Sequence, residues 1–166
     1  HEIGIPFKQV PVIQAYRLSG PDAPDAPLNT HSPSFLKISP AGAIPVIQDG
    51  ELLLSESMAC TLHLARKYGQ PFGPADAAED ALMLQWSFYA CTTIEPDALT
   101  ILFLHRAGQA QSGADQASIN NAAERLVRPF RLLDDHLARS GHMLGGRFTV
   151  ADINMAEVVR YAQSHG

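Results

Sequence analysis

Cysteine is scarce in this chain. Only Cys60 and Cys91 occur among its 166 residues, and they form no C-x-x-C pair, so neither a disulfide framework nor a zinc site is indicated. Both lie among apolar neighbours, and we expect them to be reduced, buried thiols. The seven histidines are scattered without an H-x-x-x-H pair, so we expect no metal site.

Long apolar runs and blocks of basic charge are also lacking. Runs such as "LTILFL" stop far short of the roughly 20 residues that cross a bilayer, so we expect no membrane partner. The 12 basic residues are outnumbered by 17 acidic ones, the net charge is -5, and no Lys/Arg block occurs. Nucleic acid is therefore not expected as a partner. A hydrophobic content of 46% with 17% charged residues is typical of a globular protein.

The first part of the chain has the pattern of strands followed by a helix. We predict a strand from Phe7 to Ile13, then a surface loop rich in Pro and Asp. The apolar runs "IPVIQ" and "ELLL" flank Asp49-Gly50, which predicts an antiparallel hairpin. Ser55 is predicted to cap a helix that ends at Gly69.

Beyond residue 73 every long segment has helical periodicity. We place a domain boundary there, with an α/β domain at 1–73 and an all-helical domain at 74–166. Pro96 is expected to break or kink the first long helix, and Pro129 to bend the second. Thr149 and Asp152 have the spacing of a capping box, which predicts a further helix starting at "FTVADI".

Two features of "GAIPVIQDGELLLSES" suit a ligand. A proline opening a strand leaves the backbone of Ile44 able to pair with an extended peptide. Ser55, Glu56 and Ser57 stand at a helix start, where unpaired amides and the helix dipole favour a carboxylate. Each feature alone has an ordinary explanation as a cap or an edge residue. Together they predict a site for a small peptide-like ligand with an amino-acid head group.

The stretch "HSPSFLKISPAGAIPVIQDGELLLSESMACTLHLARKYG" resembles the glutathione-binding half of the soluble glutathione S-transferases, of the theta- or beta-like bacterial type. "LGGRFTVADI" resembles a motif of that family's helical domain. The resemblance implies a thioredoxin-like N-terminal domain with a mixed sheet, an all-α helical-bundle C-terminal domain, bound glutathione and a homodimer.

The resemblance also assigns roles to residues. Ile44 would bind the cysteinyl part of glutathione through its backbone, and Pro45 would follow a cis bond. Glu56 and Ser57 would hold the γ-glutamyl group, and His31 would contact the glycine end. Three positions depart from the family pattern, where Asn, a basic residue and an aromatic are usual: Ser39, Ala43 and His63.

The activity that the resemblance implies is transfer of glutathione, a co-substrate, to an electrophilic small molecule, with detoxification as the role and the cytoplasm as the compartment. The Ser, Cys or Tyr that assists the thiolate in this family follows the first strand of the fold. We expect that strand to precede residue 1 and the sequence to be part of a longer protein, so the catalytic residue stays unknown. A non-catalytic binding or protein-interaction module, and a thiol-disulfide or dehalogenating variant, remain alternatives.

Overall fold

The computed structural model describes residues 3–106 and 113–163. The chain divides into two compact units, His1–Tyr68 and Gly69–Gly166. The domain limits 1–73 and 74–166 taken from the sequence stay a prediction. In the described parts of the chain, no helix has both the length and the apolar character needed to span a bilayer.

The first unit contains a hairpin and one long helix. A 3-10 turn at Ala15–Arg17 and a short helix α1, Pro33–Leu36, precede strand β1, Val46–Asp49, and strand β2, Leu52–Ser55. Helix α2 follows at Ser57–Tyr68 and buries Cys60, Leu62 and Ala65. The strands pair antiparallel, from Val46 with Ser55 to Asp49 with Leu52, as the sequence predicts. Gly50 opens the two-residue turn with φ +64°, a value that glycine adopts without strain.

The prediction of a strand from Phe7 to Ile13 is wrong. This stretch is extended, but it meets another part of the described chain in a ladder only at Ile13, which forms a parallel bridge with Asn29. The Ile13 amide donates to the Leu28 carbonyl at 3.0 Å, and the Ile13 carbonyl accepts from Thr30 at 2.9 Å. A strand requires a partner's backbone groups along its length, whatever its own β propensity.

The second unit is helical throughout its described secondary structure. It comprises α3 at Ala77–Tyr89, a π-helical segment at Ala90–Ile94, α4 at Glu95–Arg106, α5 at Gly113–Ser140 and α6 at Val150–Tyr161. The π-helical segment directly precedes Pro96, where a break or kink is predicted. Proline has no amide hydrogen to donate to the carbonyl four residues back. The amide of the preceding residue, Glu95, donates to the Ala90 carbonyl five residues back, which is the bond of a π-helix.

The core of this unit lies between α3, α4, α5 and α6. Met83, Ile94 and Ala98 are fully buried, and Leu126 is nearly so. Helix α5 contains Pro129 and buries side chains spaced alternately three and four residues apart, as an amphipathic helix does: Ile119, Ala122, Leu126, Pro129 and Leu133.

The predicted start of α6 is confirmed. Thr149 is the N-cap and Asp152 completes a capping box, with the Asp152 carboxylate accepting from the Thr149 amide at 2.8 Å. The other carboxylate oxygen accepts from the Met143 amide at 2.9 Å. Asp152 therefore ties the preceding loop to the first turn of the helix.

Candidate functional site

Ile44 and Pro45 lead into β1 and are joined by a cis peptide bond, in agreement with the sequence-based expectation. Both residues are exposed, Ile44 to 39%. Val46, the next residue, pairs with Ser55 and opens the ladder. Ile44 and Pro45 thus stand at the open end of the hairpin, away from its turn.

The loop before Ile44 is shaped by Ser39 and Gly42. The Ser39 side chain is buried, and its hydroxyl donates to the Ala43 carbonyl at 3.0 Å. Gly42 has φ +61°, and a Cβ there would lie 3.1 Å from the Thr30 carbonyl oxygen. A side chain at position 42 is therefore disfavoured both by the backbone conformation and by the space. Ser39, a departure from the family pattern, has a positioning role that the sequence reasoning missed.

Glu56 connects β2 to α2 in an unusual backbone conformation. Its φ is +69°, the one positive value at a non-glycine residue in the described chain. Its carbonyl accepts from the Cys60 amide at 2.9 Å, so Glu56 is the residue that precedes the first helical turn. The prediction that Ser55 caps this helix is therefore wrong, because Ser55 stays in the ladder opposite Val46. Left-handed backbone at a residue other than glycine costs about 1–3 kcal/mol and is enriched at functional sites.

The hairpin register brings four of the predicted site residues together. Since Val46 and Ser55 form the last pair, Pro45 and Glu56 flank that pair on opposite strands. Ser57 is the first residue of α2, whose leading amides have no acceptor within the helix. The open end of the hairpin thus combines an exposed carboxylate at Glu56, the N-terminus of a 12-residue helix and the backbone of Ile44.

His31 lies in the first unit, in the loop before α1. Its amide donates to the Asn29 side chain at 2.8 Å, and its Nδ1 lies 3.3 Å from Asp22 Oδ1. The His31 side chain is 55% exposed. These contacts join His31 to its own loop.

A groove of about 710 Å³ runs beside Ile44 and Pro45 within the first unit. Its walls are the extended stretch 8–13, the α1 region with Phe35 and Ile38, and the hairpin with Val46 and Leu53. Volumes of about 300–1,000 Å³ are usual for small-molecule sites. The part of the groove wall next to Ile44 is mostly apolar.

Sequence reasoning missed a charged cluster at the opposite end of the hairpin. Asp49, His63, Lys67 and Tyr68, here termed the Asp49 cluster, join the end of β1 to the last turns of α2. The hydrogen bonds from Lys67, Tyr68 and His63 hold the pKa of the Asp49 carboxyl far below its ordinary value of 3.8. His63 and Lys67 are four residues apart and so share one helix face, which is the only sign of the cluster in the sequence.

A metal centre is not part of the described structure. Among residues 3–106 and 113–163, His, Cys, Asp and Glu side chains form no group of three or more suited to a metal ion.

Comparison with known proteins identifies both units. The sequence profile described as "Glutathione S-transferase, N-terminal domain" matches residues 1–72, and that described as "Glutathione S-transferase, C-terminal domain" matches residues 116–164. Glutathione S-transferase 3 of Zea mays is 32% identical over 161 residues, which are 94% of this chain and 67% of the maize protein.

Solved structures show the same likeness. The theta class glutathione S-transferase from Xanthomonas axonopodis pv. citri with glutathione bound has a TM-score of 0.66 and 28% identity, over 78% of this chain and 62% of that one. A glutathione transferase family member from Pseudomonas fluorescens with two glutathione bound has a TM-score of 0.70 and 27% identity, over 80% and 60%. The chain spans 58% to 67% of the length of the first three curated relatives.

Proposed function

Because this chain belongs to the glutathione S-transferase family, we propose that it binds glutathione at the open end of the hairpin, next to the start of α2. The whole protein would then promote attack of the glutathione thiolate on an electrophilic small molecule. The observation that carries the proposal is the left-handed backbone of Glu56, which is held between the strand end and the helix start beside Ile44.

Each proposed contact uses a group at that end of the hairpin. The Ile44 backbone pairs with the cysteinyl part of glutathione as a neighbouring strand would, next to Pro45. Ser57 and the first amides of α2 receive the α-carboxylate of the γ-glutamyl group, and the helix dipole favours that negative charge. Glu56 takes the ammonium group of the same moiety through a charge-assisted hydrogen bond.

His31 is proposed as a contact for the glycine end, with a smaller contribution. Its ring already lies 3.3 Å from Asp22, whose negative charge opposes binding of a second carboxylate nearby. Position 43, where the family often has a basic residue, is Ala43 here. We therefore expect the glutamyl end of glutathione to supply most of the binding energy.

The proposed chemistry is nucleophilic addition or substitution by sulfur. Binding lowers the pKa of the glutathione thiol, the thiolate forms a bond to an electrophilic carbon, and the electron pair moves to the leaving group or to a conjugated carbonyl. No residue of this chain is assigned to thiolate activation. Detoxification of electrophiles is the proposed role.

The proposed setting of the protein follows from its two cysteines and its family. Cys60 and Cys91 are present as thiols rather than as a disulfide, which favours a reducing compartment such as the cytoplasm. The family resemblance favours a homodimer, and Phe88 and Phe103 expose 62% and 55% of their surface on the helices of the second unit. A sedimentation measurement on the full-length protein tests the dimer.

The proposed function is tested by calorimetric titration of glutathione into the full-length protein and its Glu56→Ala variant. A hydrogen bond to a charged group contributes about 1.5–3 kcal/mol, so we expect affinity to fall about 10- to 100-fold. Glu51→Ala is the matched control, because Glu51 is an exposed carboxylate in the turn at the other end of the same hairpin.

Two results would contradict the proposal. Equal glutathione affinities of the Glu56→Ala and Glu51→Ala variants would show that Glu56 does not contact the glutamyl group. Absence of glutathione binding by the unmodified protein would show that the proposed site is wrong. Binding without turnover of any electrophile would instead favour the non-catalytic alternative.

A further inference from the structure

The Asp49 carboxylate receives three hydrogen bonds from a single helix. His63 Nε2 and Lys67 Nζ lie 2.6 and 2.8 Å from Oδ2, and the Tyr68 hydroxyl lies 2.6 Å from Oδ1. An ionised carboxylate only accepts, so all three side chains donate. The Asp49 side chain is 14% exposed, which keeps these charge-assisted bonds partly shielded from water.

The position of the cluster differs from that of the proposed glutathione site. Asp49 ends β1 and the three donors occupy the last turns of α2, whereas the proposed ligand contacts lie where β1 and α2 begin. A four-residue strand spans about 10 Å and the helix from Ser57 to Lys67 about 15 Å. Asp49 is therefore too far from the proposed site to touch the ligand.

The hairpin and the helix are also joined nearer the start of the helix. At the near end they are joined covalently through Glu56, and midway the Cys60 thiol donates to the Leu54 carbonyl at 3.3 Å. A thiol is a weak donor. Apolar packing of Leu62 and Ala65 holds the helix against the rest of the unit but has no directional preference. The Asp49 cluster is a charged, directional attachment at the far end.

We propose that Asp49 is a positioning residue for glutathione, which fixes the direction of α2 against the hairpin so that its N-terminus faces Ile44. This inference rests on the proposed function. When Asp49 loses its side chain, α2 stays packed but pivots about Glu56, and the leading amides of the helix move relative to the Ile44 backbone. Small misplacements of groups that orient a substrate can change rates or affinities by up to about 100-fold.

The test compares the Asp49→Ala, Asp49→Asn and Asp97→Ala variants of the full-length protein. Asp97 is the matched control because its carboxylate is 18% exposed and bonds Arg125 at 2.6 and 3.0 Å, in the second unit. Amide hydrogen exchange is measured without ligand on peptides covering residues 52–60. Glutathione affinity, the KM for glutathione and kcat are measured well below the unfolding temperature.

We expect Asp49→Ala to speed exchange over residues 52–60 and to weaken glutathione affinity about tenfold, with kcat at saturating glutathione unchanged within about twofold. Asp49→Asn should lie between the parent and Asp49→Ala, since its amide oxygen still accepts from one donor. Asp97→Ala should change neither the exchange over residues 52–60 nor the affinity.

Equal affinity losses in Asp49→Ala and Asp97→Ala would mean general destabilisation and would overturn the inference. Unchanged exchange and affinity in Asp49→Ala would overturn it as well. Failure of the proposed function has a different signature: the unmodified protein would not bind glutathione, while exchange over residues 52–60 would still rise in Asp49→Ala and not in Asp97→Ala.

Discussion

The backbone of Glu56 leads to a prediction whose sign is unusual. We expect Glu56→Gly to be more stable than Glu56→Ala. At φ +69° an L-residue with a Cβ pays about 1–2 kcal/mol, and glycine does not. The glycine variant loses about 0.4–1 kcal/mol of stability because its unfolded chain has greater conformational entropy. The free energy of unfolding of Glu56→Gly should therefore exceed that of Glu56→Ala by about 0.5–1 kcal/mol, which corresponds to about 2 °C in melting temperature.

The assay is paired thermal and urea unfolding of the full-length protein, with the alanine-to-glycine comparison repeated at Ala123. Ala123 is exposed within α5, where a glycine costs about 1 kcal/mol relative to alanine. The two sites should therefore respond with opposite signs. Both variants at position 56 lack the carboxylate, so their comparison isolates the backbone from the loss of any ligand contact.

The same sign at both sites would refute the reasoning. If Glu56→Gly is less stable than Glu56→Ala by about 1 kcal/mol, position 56 has an ordinary backbone conformation in solution. The observation that supports the glutathione site would then be lost. If Glu56→Gly is more stable but binds glutathione as weakly as Glu56→Ala, the conformation is strained and the carboxylate is what the ligand uses.

Three further predictions concern single side chains. Asp152→Ala leaves the Met143 and Thr149 amides without their acceptor and should lower stability by about 2–4 kcal/mol in urea unfolding, while Asp135→Ala at an exposed position stays within about 0.5 kcal/mol. Cys60 should resist a thiol reagent until unfolding, because burial raises the pKa of its thiol, and Cys91 should react first; fast labelling of Cys60 in a Cys91→Ser variant would contradict this. The contribution of Asp49 to stability should be present above its ordinary pKa of 3.8 and be lost as the pH falls towards the lower pKa of the folded state. The difference in free energy of unfolding between the parent protein and Asp49→Asn should therefore shrink below about pH 4.

Features set by a few neighbouring residues were predictable from the sequence. Asp49-Gly50 between two apolar runs predicts the hairpin, and the structure confirms the pairing. Thr149 and Asp152 predict the helix start, which is also confirmed. In both cases the residues that form the structure are at most a few positions apart, so the chain between them leaves little choice of geometry.

Features that depend on a distant partner were not predictable in the same way. The stretch from Phe7 to Ile13 has strand-like residues, yet whether it forms a ladder is decided by backbone groups elsewhere. Ser55 is a suitable cap by residue type, but its pairing with Val46 keeps it in β2 and moves the start of the helix beyond Glu56. The Asp49 cluster joins residues 14 to 19 positions apart, and only the fold brings them together.

The strained residue Glu56 and the hydrogen-bonded residue Asp49 lie at opposite ends of the hairpin. At its open end Glu56 adopts a conformation that local preferences oppose, and such a residue persists only where its surroundings fix it. At its closed end Asp49 supplies three directional bonds to the same helix that Glu56 begins. The left-handed backbone of Glu56 and the hydrogen bonds of Asp49 lie at opposite ends of α2. Substitution of Asp49 should therefore loosen the backbone at Glu56, although Asp49 itself does not contact the ligand. A ligand that orders the open end should in turn slow hydrogen exchange at the closed end.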